Sequence, residues 1–413
     1  MRRSALIRVG VPLLALSMSL AACGSRGTSG GGPTAGGGTG AATTTLKIGF
    51  DAPLTGDLSA VGLGLEHSVQ VAIDDANSSG LVPGVKFELV AKDDQAQPSI
   101  GQQNASAFVA DAGVVGVVGP YNSSVAQSMQ SALNSADLVQ VSPSNTNPAL
   151  TQGAAYATAK ARPFKSYFRT IPTDALEAPA VASYAFTSLH LTKVATVDDG
   201  KVYGQGVTQN FAGKFTSLGG KVVVKQQISD TGIDYSAVVN DIKNSGAQAV
   251  VFGGEYPQAG PLAKQLRAAG VNIPLLACDA VYDQQFVSLA GAAANGNYVV
   301  TAGAPIGATA DQQKFIAAYK KAGYTEPYGI FGPYAYDATE AILQAVKATV
   351  AADGGKVPSS GLRAAVESAV QQVSFTGLTG PVSFDQYGDT NNHDLVMNTV
   401  KNGQWTVLGT VSQ

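Results

Sequence analysis

The chain has 413 residues, enough for two domains with full cores. Charged residues make up 13% where about a quarter is usual, and hydrophobic residues make up 45%, so the surface leans on Ser, Thr, Asn, Gln and Gly. The net charge of −3 supplies no basic field, which argues against nucleic acid as a partner.

The first stretch reads as an export signal. Arg2, Arg3 and Arg8 give a positive start, and residues 9–20 form an apolar run of signal-peptide length that is too short to span a bilayer in a mature chain. Leu20-Ala21-Ala22-Cys23 follows and resembles a bacterial lipobox, which implies a lipid on Cys23 and anchoring to the outer face of the bacterial cell membrane. Residues 1–23 are therefore assigned to the signal and lipobox, and 24–45, dominated by Gly, Ser, Thr and Ala, to a flexible tether. Cys278 is the only other cysteine, so no intrachain disulfide is expected.

From residue 46 the pattern is βα alternation. Strands are expected at 46–50, 86–91, 114–118 and 138–141, with helices at 61–76, 99–111 and 124–135 between them. The run GVVGVVGPYNSSVAQSM at 113–129 organises this half. Its four valines read as a strand buried on both faces, Gly119 and Pro120 end it, and Asn122, Ser123 and Ser124 supply the start of the next helix. The free N–H groups and the dipole of that helix start suit a small carboxylate.

The rhythm repeats in the second half. Strands are expected at 193–197, 221–227, 249–252 and 275–277, and helices after Tyr203 and from Tyr235 and Pro257. VKFELVAKDD…ADAGVVGVVGP and KVVVKQQISD…NSGAQAVVFGG echo one another, which favours two α/β lobes of one kind. A strand at 299–301, helices at 311–321, 334–350 and 361–373, and short strands at 381–384, 395–400 and 406–411 complete the chain. Helices so late imply a return to the first lobe.

These features together resemble the branched-chain amino-acid-binding proteins, the type I periplasmic solute receptors of ABC importers. The matching segments are IGFDAPLTGDLSAVG, KDDQAQP, GVVGPYNSSVAQ, VSPSNTNPALT, YFRTIPTDALEAPA, VYGQG, VVFGGEYP, FGPYAYDA and GPVSFDQYGD, in family order over nearly all of the mature chain. The resemblance implies two similar parallel-sheet lobes joined by a three-crossover hinge, with crossovers near 171–173, 300–303 and 379–382. Lobe 1 would then comprise 46–172 and 303–380, and lobe 2 would comprise 173–302 and 381–413.

By the same resemblance, Ser123, Ser144 and Thr146 would hold a ligand's α-carboxylate and share its ammonium, helped by backbone N–H groups near Tyr121. Tyr203 would lie over the ligand, Asp279 would receive the ammonium, Glu255 or Tyr256 would complete the second wall, and Phe331 would pack on the side chain. The residue types fit independently, because open α/β sheets bind ligands beyond the carboxyl ends of their strands. The sequence departs from the family where Val61 and Glu255 replace wall aromatics and where Asp replaces Glu as the ammonium partner. A lost aromatic wall and an added carboxylate shift the expected ligand from Leu, Ile and Val toward a polar amino acid, an amide or a related metabolite.

No catalytic or metal constellation accompanies these motifs. His67, His190 and His393 stand apart, without HExxH or Cys/His metal spacing and without a phosphate-binding Gly pattern, so neither an enzyme nor a cofactor is expected. The expected protein is a monomeric solute-binding lipoprotein that closes on an amino acid and delivers it to an ABC permease. A ligand-binding module of a sensory system, or a surface lipoprotein that has lost its ligand, are the alternatives.

Overall fold

The computed structural model describes residues 43–412 apart from 230 and 304. The export signal, the lipobox Cys23 and nearly all of the tether lie outside the described residues. The first lobe runs β1 (Thr44–Ala52), α1 (Ser59–Ser79), β2 (Val85–Asp93), α2 (Pro98–Ala110), β3 (Val114–Val118), α3 (Ser123–Ser135), β4 (Val139–Ser142), α4 (Ala149–Gln152) and β5 (Tyr167–Arg169). Its strands form a parallel sheet in the order β2-β1-β3-β4-β5. The expected tether ends earlier than residue 45. Thr44 and Thr45 pair with Val85 and Lys86, since β-branched side chains extend the ladder at no conformational cost.

Strand β3 lies at the centre of this sheet and is buried throughout. A register shift against β1 after Lys47 breaks simple alternation. Val114 and Val117 therefore face α2 and α3, packing with Phe108 and Met129, while Val115 and Val118 face the core that contains α1 and Ile342.

The second lobe runs α5 (Asp174–Thr187), β6 (Lys193–Asp198), α6 (Val202–Ser217), β7 (Lys221–Gln227), α7 (Ser236–Ser245), β8 (Val250–Gly253), α8 (Tyr256–Ala268), β9 (Leu275–Ala277), a 3-10 turn at Asp279–Val281, α9 (Gln284–Ala290) and β10 (Tyr298–Ala302). The chain then forms α10 (Ala310–Lys321), α11 (Gly332–Ala352) and α12 (Leu362–Val370) on the first lobe. Ile342 and Val346 of α11 share a core with Val69 and Ile73 of α1, and Phe315 and Tyr319 of α10 pack with Val71. A hairpin of β11 (Phe375–Gly377) and β12 (Gly380–Val382) precedes β13 (Leu395–Lys401) and β14 (Gln404–Thr410). The second sheet has the order β14-β13-β10-β9-β8-β6-β7. It is parallel from β7 to β10, while β13 and β14 add antiparallel to β10.

Three connections join the lobes. The first follows β5, and the second and third run side by side, with Gly303 N donating to Asp394 O at 2.8 Å. The third lies later than 379–382. Phe384 packs on Phe168 of the first lobe at 5.0 Å between ring centroids, and Asp389 pairs with Arg169, so the chain leaves that lobe only after Thr390. No helix among the described residues is long and apolar enough to cross a membrane.

Candidate functional site

The wall from the first lobe is built at the ends of β3 and β4. Gly119 has φ +106, and a Cβ there would sit 2.2 Å from the Asp51 carbonyl oxygen, so only glycine lets the chain leave β3 tight against β1. The chain then turns through Tyr121 and Asn122 into α3. Asn122 occupies the N-cap position with extended backbone, yet its side chain makes no cap bond. Its Nδ2 instead donates to Glu255 Oε1 of the other lobe. The first N–H groups of α3, which no helical carbonyl can satisfy, thus open at Ser123 with the positive end of the helix dipole.

The loop after β4 is knitted to this turn. Ser144 Oγ donates to Tyr121 O at 3.2 Å, and Asn145 Nδ2 donates to the same carbonyl at 2.7 Å. Beneath both lies Arg169, fully buried at the end of β5. Its guanidinium donates to Asn145 O, to Asn147 O at 2.9 Å and to Thr151 Oγ1 at 2.7 Å, and it pairs with Asp389 at 2.8 Å. One cation therefore holds the loop carrying Ser144 and Thr146 against the segment that leads into the third crossover.

The second lobe supplies the opposite polarity. Asp279 opens the 3-10 turn after β9 and is buried; Oδ1 accepts from Tyr203 OH at 3.1 Å, while Oδ2 has no hydrogen-bond partner among the described residues. Burial pushes its carboxyl up to about 7, with the Tyr203 hydroxyl acting the other way. Behind it, burial and the Asp279 charge raise Asp174 to about 8 and hold Glu177 well above the usual range. Glu255, at the N-cap of α8, lines the cleft with its Oε2 3.3 Å from Lys201 Nζ.

Tyr121, Ser123, Ser144, Tyr203, Glu255, Asp279 and Phe331 meet with Asn122 and Ala280 around a narrow, nearly closed cleft. Phe331 stands edge-on to Tyr121, with ring centroids 5.5 Å apart. Two expected residues do not line it. Thr146 is fully buried, with its carbonyl accepting from Asp174 N at 2.8 Å and its Oγ1 unpartnered among the described residues. Tyr256 points past the cleft, its hydroxyl donating to Asp57 O of the first lobe at 2.7 Å. Val61 packs against the core and is likewise absent from the lining. A larger hollow of about 600 Å³ between α11 and α12 contains none of the candidate residues.

The lobes also touch directly. Asn147 Nδ2 donates to Val202 O at 2.8 Å and Asn210 Nδ2 to Tyr156 OH at 3.0 Å. The arrangement offers N–H and O–H donors from one lobe and a buried acid from the other. Among the described residues, no group of three or more His, Cys, Asp or Glu is placed to hold a metal ion.

The profile of the periplasmic binding protein family matches residues 45–404. The chain belongs to that family. It is a type I periplasmic binding protein, a binding protein and not an enzyme, and it acts outside the cytoplasm. It is 27% identical to Leu/Ile/Val-binding protein homolog 1 of Brucella melitensis over 359 residues, which is 87% of this chain and 91% of that one. It is 28% identical to the leucine-, isoleucine-, valine-, threonine- and alanine-binding protein of Pseudomonas aeruginosa, covering 86% of this chain and 90% of that one. Its fold is similar to the isoleucine complex of the branched-chain amino acid transporter substrate-binding protein LivJ of Streptococcus pneumoniae. The TM-score is 0.78 at 24% identity, over 90% of this chain and all of that one.

Two residues of this periplasmic binding protein lie at or beneath the cleft without a signal of their own in the sequence. In the sequence Asn122 reads only as a cap residue, and Arg169 shows only as a charge closing the apolar pair Tyr167-Phe168; a buried Arg needs a partner, which the fold supplies. Asp279 does not cap α9: Asp283 accepts from Gln285 N and starts that helix.

Proposed function

We propose that this periplasmic binding protein is the solute-binding lipoprotein of an ABC importer, which captures an amino acid or a related small zwitterion or amide between its lobes. The observation that carries this reading is the opposed polarity of the cleft. The N-terminus of α3 with Ser123 and Ser144 suits an α-carboxylate, and Asp279, buried with one unpartnered oxygen, suits an α-ammonium. The names of the Brucella and Pseudomonas relatives support an amino acid as the ligand class. Ligand bridging the lobes stabilises the closed form, and a micromolar affinity, about −8 kcal/mol, is the working expectation. The monomer then hands its ligand to a membrane permease.

Protonation gives a direct test. Asp279 titrates near 7 with Tyr203, Glu177, Asp174 and Cys278 around it, so below that pH a proton must leave before the ammonium can pair with it. Affinity for an amino acid should therefore be about tenfold weaker at pH 6 than at pH 8 by linkage. Titration calorimetry at both values checks this. No binding of any amino acid or amide at pH 8 rejects the reading, and tighter binding at pH 6 rejects the role given to Asp279.

The anchor belongs to the same proposal. A lipid on Cys23 would tether the protein beside its permease, and a Cys23→Ala variant should then be secreted instead of sedimenting with membranes. Equal membrane retention of the variant and the wild type would remove the anchor.

A further inference from the structure

A second carboxylate beside Asp279 gives the cleft a selectivity that its zwitterion groups do not explain. Glu255 is 3% exposed and lines the cleft, yet makes no cap bond to its own helix. Its Oε1 accepts from Asn122 Nδ2 and its Oε2 faces Lys201 Nζ at 3.3 Å. That bond fixes the Asn122 amide, because only the NH2 side can face a carboxylate. Asn122 Oδ1 is thereby turned away from Glu255. It is buried within a residue only 4% exposed that lines the cleft, and it has no hydrogen-bond partner among the described residues. Both residues line the cleft, and what they have left to offer is acceptors: the Asn122 amide oxygen and the remaining lone pairs of the Glu255 carboxylate. A buried acceptor left unmatched weakens binding, and a site built to accept a hydrogen bond rejects an analogue of the same shape that cannot donate one.

We propose that Asn122 and Glu255 form a subsite that reads a donor, so that the preferred ligand is an amino acid or amide whose side chain carries an N–H or O–H group. This rests on the cleft being the amino-acid site proposed above. Lys201 Nζ lies 3.3 Å from Glu255 Oε2 and pairs with the carboxylate there. The Pro120-Tyr121-Asn122-Ser123 turn into α3 thus has two duties: Ser123 opens the helix start to a carboxylate, and Asn122 next to it looks at the side chain.

Isosteric pairs test the inference by titration calorimetry on the mature chain at pH 8. L-threonine against L-valine and L-asparagine against L-leucine differ mainly in side-chain donors. The wild type should bind the donor member of each pair at least tenfold more tightly, and Glu255→Met should bring each ratio close to one. If that variant fails to melt cooperatively, Asn122→Ser takes its place and should also reduce the ratios. Valine and leucine bound as tightly as their partners by the wild type, or ratios untouched in the folded variant, overturn the inference while leaving the amino-acid site standing. An absence of binding by all four amino acids, together with the rest of a full panel, overturns the inference and the underlying reading alike.

Discussion

Replacing Asp279 by Asn should abolish most ligand binding while leaving the unliganded protein as stable as before, or more so. The carboxylate is buried, holds one oxygen with no partner, and titrates near 7 because water is excluded from it. An amide of the same shape keeps an oxygen to accept from Tyr203 and carries no buried charge, so the folded chain loses nothing. The ligand loses its counter-charge. Truncating one partner of a buried charge pair costs about 2–5 kcal/mol, or roughly 30-fold to several thousand-fold in Kd. Calorimetry on the variant beside a thermal melt separates the effects. A variant that binds within threefold of the wild type would remove Asp279 from the ligand site, and one that melts far below it would make the residue structural.

Replacing Arg169 by Met should give the largest loss of stability. The guanidinium is fully buried and is met by the Asn145 and Asn147 carbonyls, Thr151 and Asp389. Methionine fills part of the volume but leaves two carbonyls and a carboxylate without their donor. Removing one partner of a buried ion pair costs about 3–5 kcal/mol. The midpoint of urea unfolding should fall accordingly, and affinity should fall as well, since the loop holding Ser144 is released. Asp389→Asn added to Arg169→Met should recover part of the stability, because it deletes the stranded charge. Gln152 Nε2, 2.6 Å from Asp389 Oδ2 in the native chain, remains to hold the new amide. A single variant within 1 kcal/mol of the wild type would show that other contacts hold the loop.

The lobes were legible in the sequence where apolar runs are long and bounded by turn residues. Residues 114–118, 221–227 and 275–277 form strands at the expected positions, and α10 and α11 differ by one or two residues at their ends. Less legible was β5, three residues of which one is the buried Arg169, because a strand closed by a charge carries no apolar run. Helix α5 was hidden by Pro179 in its interior, which reads as a breaker. The antiparallel join of β13 to β10 has no local signal at all, since it depends on where a distant crossover delivers the chain. At the site, seven of the nine expected residues line one cleft because each follows a strand or starts a helix, where the fold itself converges. Thr146 and Tyr256 could not be separated from them by spacing, since a one-residue turn decides whether a side chain meets the cleft or the core. Asn122 needed the partner lobe: only the position of Glu255 shows that its side chain leaves its own helix.

In the proposed function a zwitterion lies between the lobes with its carboxylate on the α3 start and its ammonium on Asp279. The crystal structure of the mature chain with its tightest-binding amino acid tests this most directly. The ligand ammonium should lie within hydrogen-bond distance of Asp279 Oδ2, and its carboxylate should accept from the N–H groups at Ser123 and from the Ser123 or Ser144 hydroxyl. A ligand bound outside the cleft, or one turned so that its carboxylate faces Asp279, would contradict the account.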